Sequence, residues 1–156
     1  MRTGFVLAIV LVAVACKKSG DGNCGKEIAR IFSNSAIDTV NNAGVVTVEI
    51  VAGSHTVFNY WHHYNICAAA SDGDYIDQLL FRVPATATSF SFSNAELSTA
   101  KTYYARLCFC PPSSFLPVTA GNISGVKVET DTWQVTGHVK ILGTNNWLSF
   151  NQIFTQ

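Results

Sequence analysis

The chain has 156 residues, of which 48% are apolar and only 13% charged. A soluble domain typically carries about 25% charged residues, so neither a charge-rich disordered chain nor a coiled coil fits. Lys and Arg together number 10, as do Asp and Glu. That balance lacks the basic footprint needed to neutralise phosphates, so nucleic acid is not an expected partner.

The chain opens on Met1-Arg2, a short basic start, followed by an unbroken apolar run from Phe5 to Ala15. A membrane-spanning helix needs about 20 such residues, so the run is too short to span and reads as a secretory signal over residues 1–15. It ends in Ala13-Val14-Ala15-Cys16. This string resembles a bacterial lipobox, with Ala13 where the family usually has Leu. The resemblance implies that Cys16 is acylated, becomes the new N-terminus and attaches the protein to a membrane. Residues 16–25 then form a polar tether, Lys17 to Asn23 having no apolar side chain to bury. Lys17 follows the cysteine, so the Asp of the enteric inner-membrane retention signal is absent. The chain so read is exported and held at the outer membrane or cell surface. An ordinary cleaved signal beside an unrelated cysteine is the alternative.

The cysteine count supports export. Five cysteines are present. With Cys16 given to lipid, Cys24, Cys67, Cys108 and Cys110 remain. An even remainder in an oxidising compartment is expected to form two disulfides, with three possible connectivities. Zinc is the competing reading, but Cys108-x-Cys110 is too short for a zinc knuckle and no second close pair exists. No metal or other cofactor is expected.

A single domain is expected over residues 26–156. Its first segment, 26–33, reads as a short helical turn or lead-in, with Ile28, Ile31 and Phe32 on one side. Beyond it the pattern has period two. Val46, Val48 and Ile50 alternate with polar residues, as do Phe90 and Phe92. Tyr103, Ala105, Leu107 and Phe109 form one face of the next run, with Cys108 and Cys110 on the other. Val126 and Val128 follow, and then Trp133, Val135, Val139 and Ile141. Successive strand side chains point to opposite faces, so each run has one buried and one wet face. Turn residues separate the runs, at Asn41 to Gly44, Gly53-Ser54, Ser71 to Asp74, Pro111-Pro112, Gly121-Asn122 and Gly143 to Asn146. About nine short strands at this spacing predict an all-β fold, a single antiparallel β-sandwich.

Residues 88–107 read TSFSFSNAELSTAKTYYARL. This stretch resembles the strand E to strand F segment of fibronectin type III and other immunoglobulin-like domains. Leu97 and Tyr103 hold the spacing of that family's tyrosine corner, with Thr99-Ala100 in place of its frequent Pro-Gly. The resemblance implies that the Tyr103 ring packs in the core while its hydroxyl caps the corner backbone. It also implies that Trp61 is a candidate core tryptophan. If residues 64–70 are the strand beside F, Cys67 would reach Cys108 or Cys110, and the other would hold Cys24. Such domains are mostly adhesive or spacer modules.

Catalytic strings are weak. Ser98-Thr99-Ala100-Lys101 matches S-x-x-K, but without the partner motifs that chemistry requires. His62 and His63 are adjacent, so in a strand they face opposite ways and make a poor metal pair. Asp72-Gly73-Asp74 lacks the further oxygens of a calcium loop. The leading expectation is therefore a non-enzymatic, lipid-anchored cell-envelope module for adhesion, scaffolding or partner binding. Its partner is an unknown protein or glycan. The alternative is a carbohydrate-binding module in which exposed aromatics, Tyr60, Trp61 and Trp147, stack on sugar.

Overall fold

The computed structural model describes residues 25–64, 75–108 and 114–156. The signal, Cys16, Cys24, Cys67, Cys110 and the Asp72–Asp74 turn lie outside these residues. The strands are β1 (Lys26–Asn42), β2 (Val45–Ala52), β3 (His55–His63), β4 (Tyr75–Pro84), β5 (Ser89–Ser93), β6 (Tyr103–Cys108), β7 (Leu116–Pro117), β8 (Gly121–Glu129), β9 (Thr132–Lys140) and β10 (Trp147–Thr155). A short helix, α1 (Ala95–Thr99), joins β5 to β6. The all-β class expected from the period-two runs is what forms.

All the strands belong to one hydrogen-bonded sheet, in the order β5-β8-β9-β10-β1-β3-β4-β6-β7, with β2 paired to β1 off this path. The pairs are antiparallel except β1 with β10, which run parallel and meet at Arg30 and Thr155. The sheet is therefore mixed, where a purely antiparallel one was expected. It curls into a half-barrel whose two arms face each other. Phe81 on β4 and Phe90 on β5 stand far apart in strand order, yet their ring centroids are 5.7 Å apart.

The main core fills the concave side. Phe58 stacks on Phe81 at 4.8 Å and meets Trp133 and Phe154 edge-on at 5.3 and 5.5 Å. Edge-on and offset pairs of this kind add to the area that the rings bury. Trp133, Val135, Val139 and Ile141 are all buried, as their alternation predicts. Two glycines make room for rings. A Cβ at Gly137 would lie 2.2 Å from the Phe150 ring, and one at Gly125 would lie 2.6 Å from that of Phe90.

A second, smaller core lies on the convex side. Ile37, Val57 and Leu80 are buried there, with Phe32, Val48, Ile50, Tyr103 and Phe115 packed against them. It forms because β1 bends. Its register against β3 shifts between Phe32 and Ser35, where Asn34 has φ +51°. The far half of β1 and its partner β2 then fold back over β3 and β4. This explains why residues 26–33 are strand and not a helical turn. The segment has apolar residues on both faces because each face meets a different core, Ile31 the main one and Phe32 the smaller one. The mixture imitates helical spacing.

Candidate functional site

Two arrangements of polar and aromatic side chains stand out, one on each side of the sheet. The first crosses the concave face at the end of the arm where β1, β3, β4 and β6 lie side by side. Asp77 of β4 is 1% exposed. Its Oδ1 accepts the Tyr104 hydroxyl at 2.5 Å and the Arg106 Nε at 2.8 Å, and its Oδ2 accepts Arg106 Nη2 at 3.0 Å. The guanidinium lies 4.2 Å from the Tyr75 ring centre. Tyr75 stacks on Tyr64 at 4.3 Å, and Tyr64 on His62 at 4.1 Å. His62 Nδ1 is 3.2 Å from Glu27 Oε1, which also accepts the Tyr60 hydroxyl at 2.7 Å. Gln152 of β10 donates to the other Glu27 oxygen.

This ladder holds its protons tightly. Burial first, then Asp77, pushes the Tyr64 phenol up to about 12. Tyr104 is raised further, by burial and then by its hydrogen bond to Asp77. Tyr60 is raised in the same way, by burial and then by Glu27. Hydrogen bonding to Asp77 keeps Arg106 protonated against the opposing effect of burial. The acids, phenols and guanidinium are thus engaged with one another, which suits a structural clasp across strands.

The second arrangement is the convex face of β5, β8, β9 and β10. Ser91 pairs with Ser124, and Ser124 with Thr136; Thr136 pairs with Asn151. Ser124 Oγ and Thr136 Oγ1 are 3.1 Å apart, His138 Nδ1 and Ser149 Oγ are 2.7 Å apart, and Gln134 donates to Asn151. Trp147 lies at one end, 47% exposed, its ring parallel to that of His138 with centroids 4.4 Å apart. A shallow depression of about 220 Å³ is lined by Ser89, Phe90, Ser124, Gly125, Val126, Gln134 and Thr136.

The expected ligand-stacking residues are not brought together. Trp147 is on this convex face. Trp61 is half-buried on the convex face of the other arm. Tyr60 has no exposed surface and stacks on Phe150 at 4.7 Å, so it is core. Trp61 does not enter the main core because β3 turns Phe58 and Tyr60 inward, and alternation then turns Trp61 out.

The corner residues divide. Leu97 is fully buried, but Tyr103 packs in the smaller convex core. Tyr104 enters the main core, and its hydroxyl bonds a carboxylate rather than backbone. The expected inward face of this strand is thus reversed for the main core, and Cys108 shares the concave side with Tyr104 and Arg106. Val126 and Val128, expected to be buried, are 50% and 52% exposed. Lys101 does not serve Ser98: its Nζ donates to the Ile37 carbonyl at 3.2 Å.

No group of three or more His, Cys, Asp and Glu side chains placed to hold a metal ion occurs among the described residues. The Asp77 clasp left no mark in the sequence, because its members lie on different strands. The outer polar face did leave one, in the alternating Ser, Thr, Asn and Gln of residues 89–93, 122–136 and 149–151. Comparison with protein families, with curated proteins and with solved structures finds no match to this chain.

Proposed function

We propose that the protein is an exported, lipid-anchored domain of the cell envelope that binds a partner and does not transform a substrate. Cys16 carries the anchor, and residues 16–25 hold the domain off the membrane. The basic start, apolar run and cysteine support export and anchoring. The four cysteines left beside Cys16 add support, since two disulfides would suit an oxidising compartment and are rare in a reducing cytosol. In this reading Cys67 pairs with Cys108 or Cys110, and the other holds Cys24.

The observation that carries the binding reading is the convex face of β5, β8, β9 and β10. Among the described residues nothing covers it, yet its polar side chains are ordered by bonds to one another. It also keeps three large apolar side chains exposed, Val126, Trp147 and Ile153. The carbohydrate-binding alternative is favoured by one feature of the same face, the Trp147 ring held flat on His138.

Fractionation tests the anchor. The full chain is expected in the membrane fraction, and Cys16→Ser in the soluble exported fraction; a Cys16→Ser chain that stays with membrane overturns lipidation. Cross-linking in envelope fractions tests binding. A specific partner lost on replacing Trp147 is expected, and a monomer that captures neither protein nor glycan overturns the reading.

A further inference from the structure

The convex face described above has a chemistry that selects among partners. From Trp147 to Ile153 it runs six residues along β10, about 20 Å at strand rise. Beside that line stand Gln134, Thr136 and His138 of β9, Asn122 and Ser124 of β8, and Ser91 of β5. Among the described residues no carboxylate projects from this stretch, and its cations stand at the two ends, Lys140 beside Trp147 and Arg30 beside Thr155. A charged ligand would find little to pair with or be steered by. A protein partner of ordinary kind would seek a desolvated apolar centre with a polar rim. Here the centre is polar, and the exposed apolar residues lie at the ends.

The polar groups are short, or tied down. Gln134 gives an N–H to Asn151 Oδ1, which leaves the Gln134 carbonyl and the Asn151 amide N–H groups with bonding capacity. The Ser124–Thr136 hydroxyl pair and the His138–Ser149 pair are fixed in the same manner. Fixed groups lose little freedom when a ligand binds, so a ligand bonding to them loses less affinity to ordering. Two independent features point to where a ligand would rest. One is the exposed indole of Trp147, backed by His138. The other is the shallow depression at the Gly125 backbone, bordered by Ser124, Val126 and Gln134.

We propose that this face, from Trp147 to the depression at Gly125, binds a neutral oligosaccharide. The proposal rests on the reading of the protein as a binding domain and names the ligand class. A pyranose offers an apolar C–H face to the indole. Its hydroxyls, each a donor and an acceptor, match the mixed hydroxyl and amide rows. The sugar covers a flat track without the deep pocket that a small charged ligand needs.

The test is an array of neutral and acidic glycans probed with the full chain, followed by titration of a binding neutral oligosaccharide with tryptophan fluorescence as the readout. Binding to neutral glycans is expected, with a shift in emission. Trp147→Ala is expected to weaken it about tenfold or more, as for other aromatic anchors, while Trp147→Phe retains most of it. Gln134→Ala combined with Asn151→Ala weakens it as well, and Val51→Ala on β2 leaves it unchanged. Thermal melting of each variant separates lost binding from lost fold. Binding that survives Trp147→Ala overturns the site. Binding confined to acidic glycans, or a flat array, overturns the ligand class. A flat array together with a Trp147-dependent protein cross-link overturns this proposal alone and leaves the binding-domain reading standing.

Discussion

Asp77 and Arg106 form a two-point ion pair across β4 and β6, Nε to Oδ1 at 2.8 Å and Nη2 to Oδ2 at 3.0 Å. The pair is lopsided, for the carboxylate side chain is 1% exposed and the guanidinium side chain 42%. When one partner of such a pair is removed, the penalty depends on what remains buried. Arg106→Met leaves a buried carboxylate with only the phenols of Tyr104 and Tyr64 beside it, and is expected to cost about 3 kcal/mol. Asp77→Asn leaves a guanidinium that water reaches, and an amide oxygen that still accepts from Tyr104. It is expected to cost less, about 1–2 kcal/mol. Urea denaturation of both variants checks the order; equal losses would show that the clasp is not buried as described.

The raised phenols make the fold sensitive to alkali. Tyr64 has its folded value pushed up to about 12, and Tyr60 and Tyr104 are raised beyond it. A group that holds its proton more tightly when folded contributes stability that is complete below its unfolded value, about 10 for tyrosine. That contribution is lost as pH rises from there through the folded value. Stability is therefore expected to fall between about pH 10 and 12. Tyrosinate absorbance from these three residues should rise together with loss of near-ultraviolet circular dichroism. Their full ionisation in a chain that remains folded at the lower end of that window would contradict the ladder.

Thr102 is 1% exposed, and among the described residues its Oγ1 has no hydrogen-bond partner. A buried hydroxyl without a partner is a cost that a methyl group of similar shape removes. Thr102→Val is expected to be neutral or to stabilise by up to about 1 kcal/mol. Thermal melting decides it, and a clear loss would mean that the hydroxyl has a partner in solution.

Gly137 sits beneath the Phe150 ring, where a Cβ would come within 2.2 Å. Gly137→Ala is expected to destabilise by about 1–3 kcal/mol through overpacking. Phe150→Leu should return part of that loss by vacating the space, so the double variant is expected to lose less than the two single losses combined. Strict additivity would place the ring elsewhere.

The sequence alone determined the class of fold. Period-two alternation is a local property, and it correctly buried Trp133, Val135, Val139 and Ile141 without knowledge of their neighbours. Turn residues likewise placed the strand ends at Asn41 to Gly44, Gly53-Ser54 and Gly143 to Asn146, while Gly121-Asn122 opens β8. Alternation says that one face differs from the other, but not which body each face meets. Here a strand meets two bodies, because β1 bends at Asn34 and carries β2 over the convex side. Only that tertiary event decided that Tyr103 belongs to the smaller core and Tyr104 to the larger. Strand pairing decided that Tyr60 is core while Trp61 is not, and that Val126 and Val128 of β8 face solvent.

The two polar arrangements divide in the same way. The Ser, Thr, Asn and Gln that line the convex face were visible as alternating residues, since a wet face is written along each strand. That they form one continuous track beside Trp147 follows from the order β5-β8-β9-β10, which no local pattern encodes. The Asp77 clasp was not legible at all. Its residues lie as far apart as Glu27 and Arg106, and only pairing in register across β1, β3, β4 and β6 makes them neighbours. Composition and periodicity settle what each strand buries on average. Long-range pairing, which depends on the free energy of the whole sheet, settles which side chains meet.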